Sequence, residues 1–333
     1  MNRNNSVDIA KGIGIFLVIW SHTVCPVIPQ LCLFHMPVFF MLSGYVFNRK
    51  ESFENTLRKK IRSLIVPLLF FFAFQRISFI LIAMAGGTFK TAYLLPWTSI
   101  PPWQVMGVLW FIISLFTVIM IYSLINLIRS DILKFAASLL LTFSGHLLDN
   151  FNIHLPLYLG SSLSMIFFFH TGVMLAAADL KKIGPARNWA VLGVLSVGLF
   201  IVWVHFYQPN VVMAYNYFGG NFFLTLGIML LGCFMLLINS KLIDYVPRIN
   251  KALAYIGMNS LTVFAVHPVV LQAIYLAFPK RTVTVPGGMI ISVIVLGLCL
   301  VINILLQKYF PFVFGKKVLS LPGIFRTRPG AQV

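Results

Sequence analysis

Residues Asp8–Phe47, DIAKGIGIFLVIWSHTVCPVIPQLCLFHMPVFFMLSGYVF, form two apolar runs joined by a proline-bearing turn, and they carry ionisable groups where lipid disfavours them. Lys11 and His22 are eleven residues apart. At about 100° per residue they fall within roughly 20° of each other, three helical turns apart on one stripe. Asp8 stands about one turn before Lys11, near the same stripe. Charged groups inside a membrane helix are costly, so they mark a functional interior face by default. The blander reading leaves Asp8 and Lys11 in the headgroup zone, stems snorkelling, with His22 a hydrogen-bonded packing residue.

The rest of the chain is built the same way. Hydrophobic residues make up 59% of it and charged residues 10%, with a mean hydropathy of +0.94, whereas soluble domains carry roughly 25% charged residues. Apolar windows of about 20 residues recur from end to end. The sequence therefore predicts one all-α, polytopic transmembrane helical bundle over residues 1–333, with about ten helices and a lipid bilayer as its surroundings. The expected spans are 9–26, 31–48, 63–85, 105–128, 132–148, 158–178, 189–207, 221–239, 252–278 and 287–306, followed by a basic cytoplasmic tail at 307–333. The first span is long, contains Lys11 and lacks a small-residue cleavage site, so it is expected to stay as a signal anchor.

A net charge of +18 would suit nucleic acid if the cations shared one face. They alternate between loops instead. Twenty of the 25 Lys and Arg fall in the set of loops that this alternation places inside; Lys90, Lys280 and Arg281 fall outside, and Lys11 and Arg76 lie within spans. This positive-inside pattern puts both termini in the cytoplasm and removes the case for a nucleic-acid partner. Cys25 and Cys32 flank the first turn at a spacing open to a bridge, and no metal-ligand spacing occurs.

Several further groups stand out. His35 opens the second span, close enough through the short turn to approach His22. The pair fits a general base and its orienting partner, and equally an imidazole bonded to a backbone carbonyl. Arg58, Lys59, Lys60 and Arg62 precede the third span, either as an anchor on anionic lipid or as a cradle for the phosphates of a cytosolic donor. Arg76 is about four turns into that span and is expected to face the same interior. Ser43 with Gly44, and Asn259 with Ser260, supply polar groups that more often tie helices together than react. His267 is buried ahead of Pro268, while His146 and His154 read as interfacial or loop residues.

DIAKGIGIFLVIWSH, FHMPVFFMLSGYVF, the basic run, LWFI, FFFHTG and GMNSLTVFAVHP, in that order over roughly residues 7–270, resemble acyltransferase family 3, integral membrane acyltransferases of the glycan O-acetyltransferase type. The resemblance implies transfer of an acyl group, most often acetyl from acetyl-CoA, to a sugar of a surface glycan such as O-antigen or its lipid-linked precursor. It implies His22 as catalytic base, with His35 beside it, and Lys11, Arg58, Lys59, Lys60, Arg62 and Arg76 on the donor side. Asp8, Ser43, Asn259 and His267 are expected to support them. No cofactor is expected beyond acetyl-CoA as donor substrate, and the location implied is the bacterial inner membrane. The chain departs from many relatives at Val108, where they carry an acidic residue or a histidine, so an orienting group borrowed from them is missing. The same buried cations would also serve a transporter or flippase of lipid-linked sugars or acyl donors, and the family tolerates other acyl groups and acceptors.

Overall fold

The computed structural model describes residues 5–86, 106–151, 153–178, 185–278 and 283–314. The loop with Lys90, Tyr93, Trp97 and Trp103, the cations Lys181, Lys182, Lys280 and Arg281, and the tail from residue 315 lie outside the described residues. The chain folds as a helical bundle: α1 (Asn5–Ser21), α2 (Ile28–Cys32), α3 (Pro37–Tyr45), α4 (Phe53–Lys60), α5 (Val66–Ala85), α6 (Trp110–Ile125), α7 (Asp131–Asn150), α8 (Leu159–Ala177) and α9 (Ala186–Phe206). A two-stranded antiparallel hairpin follows, β1 (Val211–Val212) with β2 (Tyr217–Phe218), and then α10 (Phe222–Ile243), α11 (Ile249–Met258), α12 (Ser260–Ala277) and α13 (Val285–Tyr309).

Nine helical runs among the described residues are long and apolar enough to cross a membrane. The 17 residues of α1 sit at the short end of what a bilayer needs. Caps mark several starts: Ser52, Ser130, Asn221 and Thr284 each accept a hydrogen bond from a backbone N–H in the first turn. Helices α9 and α13 turn large apolar side chains outward, such as Leu195, Leu199, Ile290 and Ile294, as lipid requires.

Four spans differ from their sequence reading. The first helix stops at Ser21, so His22 stands just past its end, not inside it. The second span breaks between Cys32 and Pro37, because Pro37 has no N–H to give the Leu33 carbonyl, while Met36 before it keeps helical backbone angles. The ninth breaks at Asn259, whose φ of −104° leaves the helical range. The third, by contrast, is longer than expected. A π turn at Ile61–Ile65 fuses the charged α4 to the apolar α5 into one run of 33 residues.

The connections sort to two ends. At the basic end, Asn5 and Ser6 donate to Asp244, Arg49 pairs with Asp131 at 3.1 Å, and Asn126 donates to the Arg49 carbonyl. Partial burial raises the Asp244 carboxyl, but those hydrogen bonds and the Lys241 charge outweigh it and hold the group below the ordinary carboxylate range. At the opposite end lie the β-hairpin and the His22 turn, and the described connections there contain no Lys or Arg. Asn216 fixes the hairpin by donating to the Gly145 carbonyl and accepting from Ser164, and the Phe218 N–H donates to Asp149.

Two helix pairs pack backbone to backbone through glycine. A Cβ added at Gly172 would lie 1.8 Å from the Met41 carbonyl oxygen, and one at Gly44 would lie 1.9 Å from that of Phe169, so α3 and α8 interlock reciprocally. Gly12 and Gly257 do the same for α1 and α11, against Leu253 and Asp8. In a membrane, close backbone approach replaces the hydrophobic effect as the source of helix association. These crossings hold α1, the carrier of Lys11, and α3, the continuation of the His35 span.

Candidate active site

Three imidazoles gather near the hairpin end, each tethered by a carbonyl of its own segment. Helix α1 ends at Ser21, and the His22 N–H turns to Ile19, leaving the Val18 carbonyl without its usual backbone donor. His22 Nδ1 donates to that carbonyl at 2.8 Å. In α12, Pro268 cannot donate to the Phe264 carbonyl four residues back, and His267 Nδ1 does so at 2.7 Å. His35 Nδ1 donates to the Leu31 carbonyl at 2.6 Å, at the break before Pro37. A carbonyl only accepts, so in each neutral ring the proton is on Nδ1 and the lone pair on Nε2.

The rings of His22 and His267 meet edge to face, with centroids 4.9 Å apart. His267 is fully buried, and its Nε2 has no hydrogen-bond partner among the described residues. An unpaired buried polar atom costs about 1–3 kcal/mol, so its retention needs a reason beyond packing. His22 itself is exposed. It lines a cavity of about 180 Å³ together with His35, Ser21, Cys32, Val108, Trp110, Phe264 and residues 211–214 of the hairpin.

The expected pair of His22 and His35 is therefore brought together in the lining of one cavity. The orienting group for His22 is the Val18 carbonyl. Val108 lines the same cavity with an aliphatic side chain. Cys25 and Cys32 are unbridged.

The expected donor residues divide into three groups. Lys11 approaches Asp8 at 3.8 Å and shares an electrostatic neighbourhood with Lys60, Glu51 and Lys59 at the basic end. Lys59 pairs with Glu51, Arg58 pairs with Glu54 at 2.6 Å along the exposed face of α4, and Arg62 is exposed nearby. Arg76 is not with them. Its neighbour Gln75 donates to the Ala265 carbonyl at 2.6 Å, two residues from His267, so Arg76 stands at the depth of the histidines, its guanidinium 5.3 Å over the Phe72 ring.

Among the supporting residues, Asp8 is buried and joins Lys11 to the α1–α11 crossing. Asn259 accepts from Asn303 and Gln307 and donates to the Tyr255 carbonyl, tying the α11–α12 break to α13. Ser43 is half-buried beside Gly44 in the α3–α8 crossing, eight residues beyond His35. Asn259 therefore acts as a helix tie.

Residues absent from the sequence reading are the Val18 carbonyl, Trp110 and the hairpin roof at 211–214. Only the prolines hinted at the tethers, since each removes a backbone donor near a histidine.

The nodulation protein NolL of Mesorhizobium japonicum is 30% identical over a stretch covering 34% of this chain and 34% of that protein, so the chain spans about a third of the length of the curated relative it matches. No solved structure matches. The model of acyltransferase family 3, described as an acyltransferase domain, matches residues 4–304, and with that match over nearly its whole length the chain belongs to this family of integral membrane acyltransferases.

Proposed function

We propose that the protein transfers acetyl from acetyl-CoA, bound at the basic end, to a sugar hydroxyl presented in the His22 cavity at the opposite end. The observation that carries this reading is the carbonyl-fixed His22 ring, which lines an accessible cavity with its Nε2 as the lone-pair nitrogen. In the proposed step His22 Nε2 takes the hydroxyl proton as the oxygen attacks the thioester carbonyl. The C–O bond forms, the C–S bond breaks, and the CoA thiolate takes that proton as it leaves.

The two ends suit the two substrates. CoA carries phosphates that lipid excludes, and Lys11 and Lys60 supply cations on the side where basic loops gather. Eleven residues of α1 separate Lys11 from His22, about 16 Å of helix rise, a gap suited to the long uncharged pantetheine arm. The acceptor then meets the acyl group outside, in the inner membrane of a bacterium, on a surface glycan such as O-antigen or its lipid-linked precursor.

Reporter fusions after Arg129 and after Gln208 are expected to signal cytoplasm and exterior respectively; the reverse would invert the assignment of substrates to ends. Lys11→Ala is expected to raise the KM for acetyl-CoA about tenfold, the loss of one charge-assisted phosphate contact, with little change in the acceptor KM. A rise confined to the acceptor would contradict a donor-side role. The reaction itself is tested with purified protein in nanodiscs, labelled acetyl-CoA and deacylated surface glycans: label on the glycan supports the reading. Passage of sugar or CoA across the bilayer without transfer would replace it with transport.

A further inference from the structure

A second cavity of about 190 Å³ adjoins the first at the hairpin end, lined by Ile153, His154, Leu155, Tyr158, Gly160, Ser161 and residues 214–216. Ala214 belongs to both cavities, and the wall between them is aromatic: Trp110 of the first and Tyr158 of the second have ring centroids 6.1 Å apart. Each cavity alone falls short of the roughly 300 Å³ at which small-molecule sites begin, and only the two together reach it.

The second cavity is also where the backbone is most constrained. Four non-glycine described residues have positive φ, and three of them, Leu157 (53°), Tyr158 (57°) and Asn216 (58°), lie at or beside it. Each such residue is unfavourable in isolation and persists only where its surroundings fix it. Here the bonds of Asn216 to Gly145 and Ser164 do the fixing. A shape held at that cost, one small side chain away from the His22 cavity, is built to be occupied.

The lining defines the occupant. Tyr215 is 49% exposed and Tyr158 buried, so an aromatic edge and face are offered together with the Ser161 hydroxyl and the His154 imidazole. Among the described residues, neither cavity is lined by Lys, Arg, Asp or Glu. Aromatic faces with a few polar groups and no net charge suit sugar rings, whose C–H faces stack while their hydroxyls bond at the rim.

Building on the proposed acyl transfer, we infer that the two cavities are consecutive subsites for one uncharged glycan segment of at least two sugar rings. The ring in the second cavity holds its neighbour with a hydroxyl at His22. The preferred acceptor is thus an assembled glycan, not a free monosaccharide, and Tyr215 is a specificity residue for it.

The test uses full-length protein in nanodiscs with labelled acetyl-CoA and two acceptor pools: bacterial surface glycans stripped of acyl groups by mild base, and the same glycans hydrolysed to monosaccharides. Wild type is expected to prefer the polymer at least tenfold in kcat/KM. Tyr215→Ala should cut that preference about tenfold through the polymer KM, the loss expected for truncating one aromatic anchor, while Tyr215→Phe keeps it. Ala214→Leu, which narrows the junction, should cut it as well. Equal use of both pools, or a preference unchanged in both Tyr215→Ala and Ala214→Leu, overturns the inference while leaving acyl transfer standing. No label on either pool overturns the transfer reading, and this inference with it.

Discussion

His22→Ala is expected to lower acyl transfer by a factor on the order of 100 to 10,000, the usual worth of a positioned general base. The protein should still insert and fold. His22 is exposed just past the end of α1, and when its ring is removed the Val18 carbonyl keeps the Ser21 hydroxyl as a donor, so no helix is unmade. The measurement is label transfer from acetyl-CoA by purified wild type and variant of matched size-exclusion profile. Activity within about threefold of wild type would remove His22 from the chemistry, since a base worth so little would fall well below the range that general-base catalysis supplies. The exposed, carbonyl-bonded ring would then be a helix cap and nothing more.

The second large effect is structural. Gly172→Ala is expected to destabilise the bundle beyond the 1–3 kcal/mol typical of overpacking, because the obstacle 1.8 Å from the new Cβ is the Met41 backbone oxygen and not a movable side chain. Relief requires α3 and α8 to separate, and Gly44 would lose its seat on Phe169 in the same motion. Gly198→Ala is the control. Nothing lies within 4 Å of a Cβ there, so the change should be neutral or stabilising by about 0.5–1 kcal/mol, the helix cost of glycine relative to alanine. Thermal unfolding in detergent compares the two, and equal midpoints would show that the crossing is slack.

The membrane bundle was legible because apolar length is a one-dimensional property, visible without knowing what touches what. His22, His35 and Lys11 were legible for a related reason, since an imidazole or ammonium in an apolar run is conspicuous in itself. The breaks at His35 and Asn259 were not read, although Pro37 was in plain view, because a proline also begins helices and only tertiary context separates the two roles. Arg76 was read as about four turns into its span and facing the interior; the Gln75–Ala265 hydrogen bond, which has no signature in sequence, sets it beside the histidines and apart from the other donor-side cations. The hairpin roof was hidden for the same kind of reason. Its strands are two residues each, held by Asn216 and Asp149 through partners more than 60 residues away.

The shared tether of the three histidines bears on the energetics of the membrane as a whole. A row of imidazoles through a bilayer conducts protons when each ring can accept on one nitrogen while releasing from the other. In His22, His35 and His267 the releasing nitrogen donates to a backbone carbonyl, which does not carry a proton onward. Such a cluster can lend and recover a proton locally without relaying it from ring to ring.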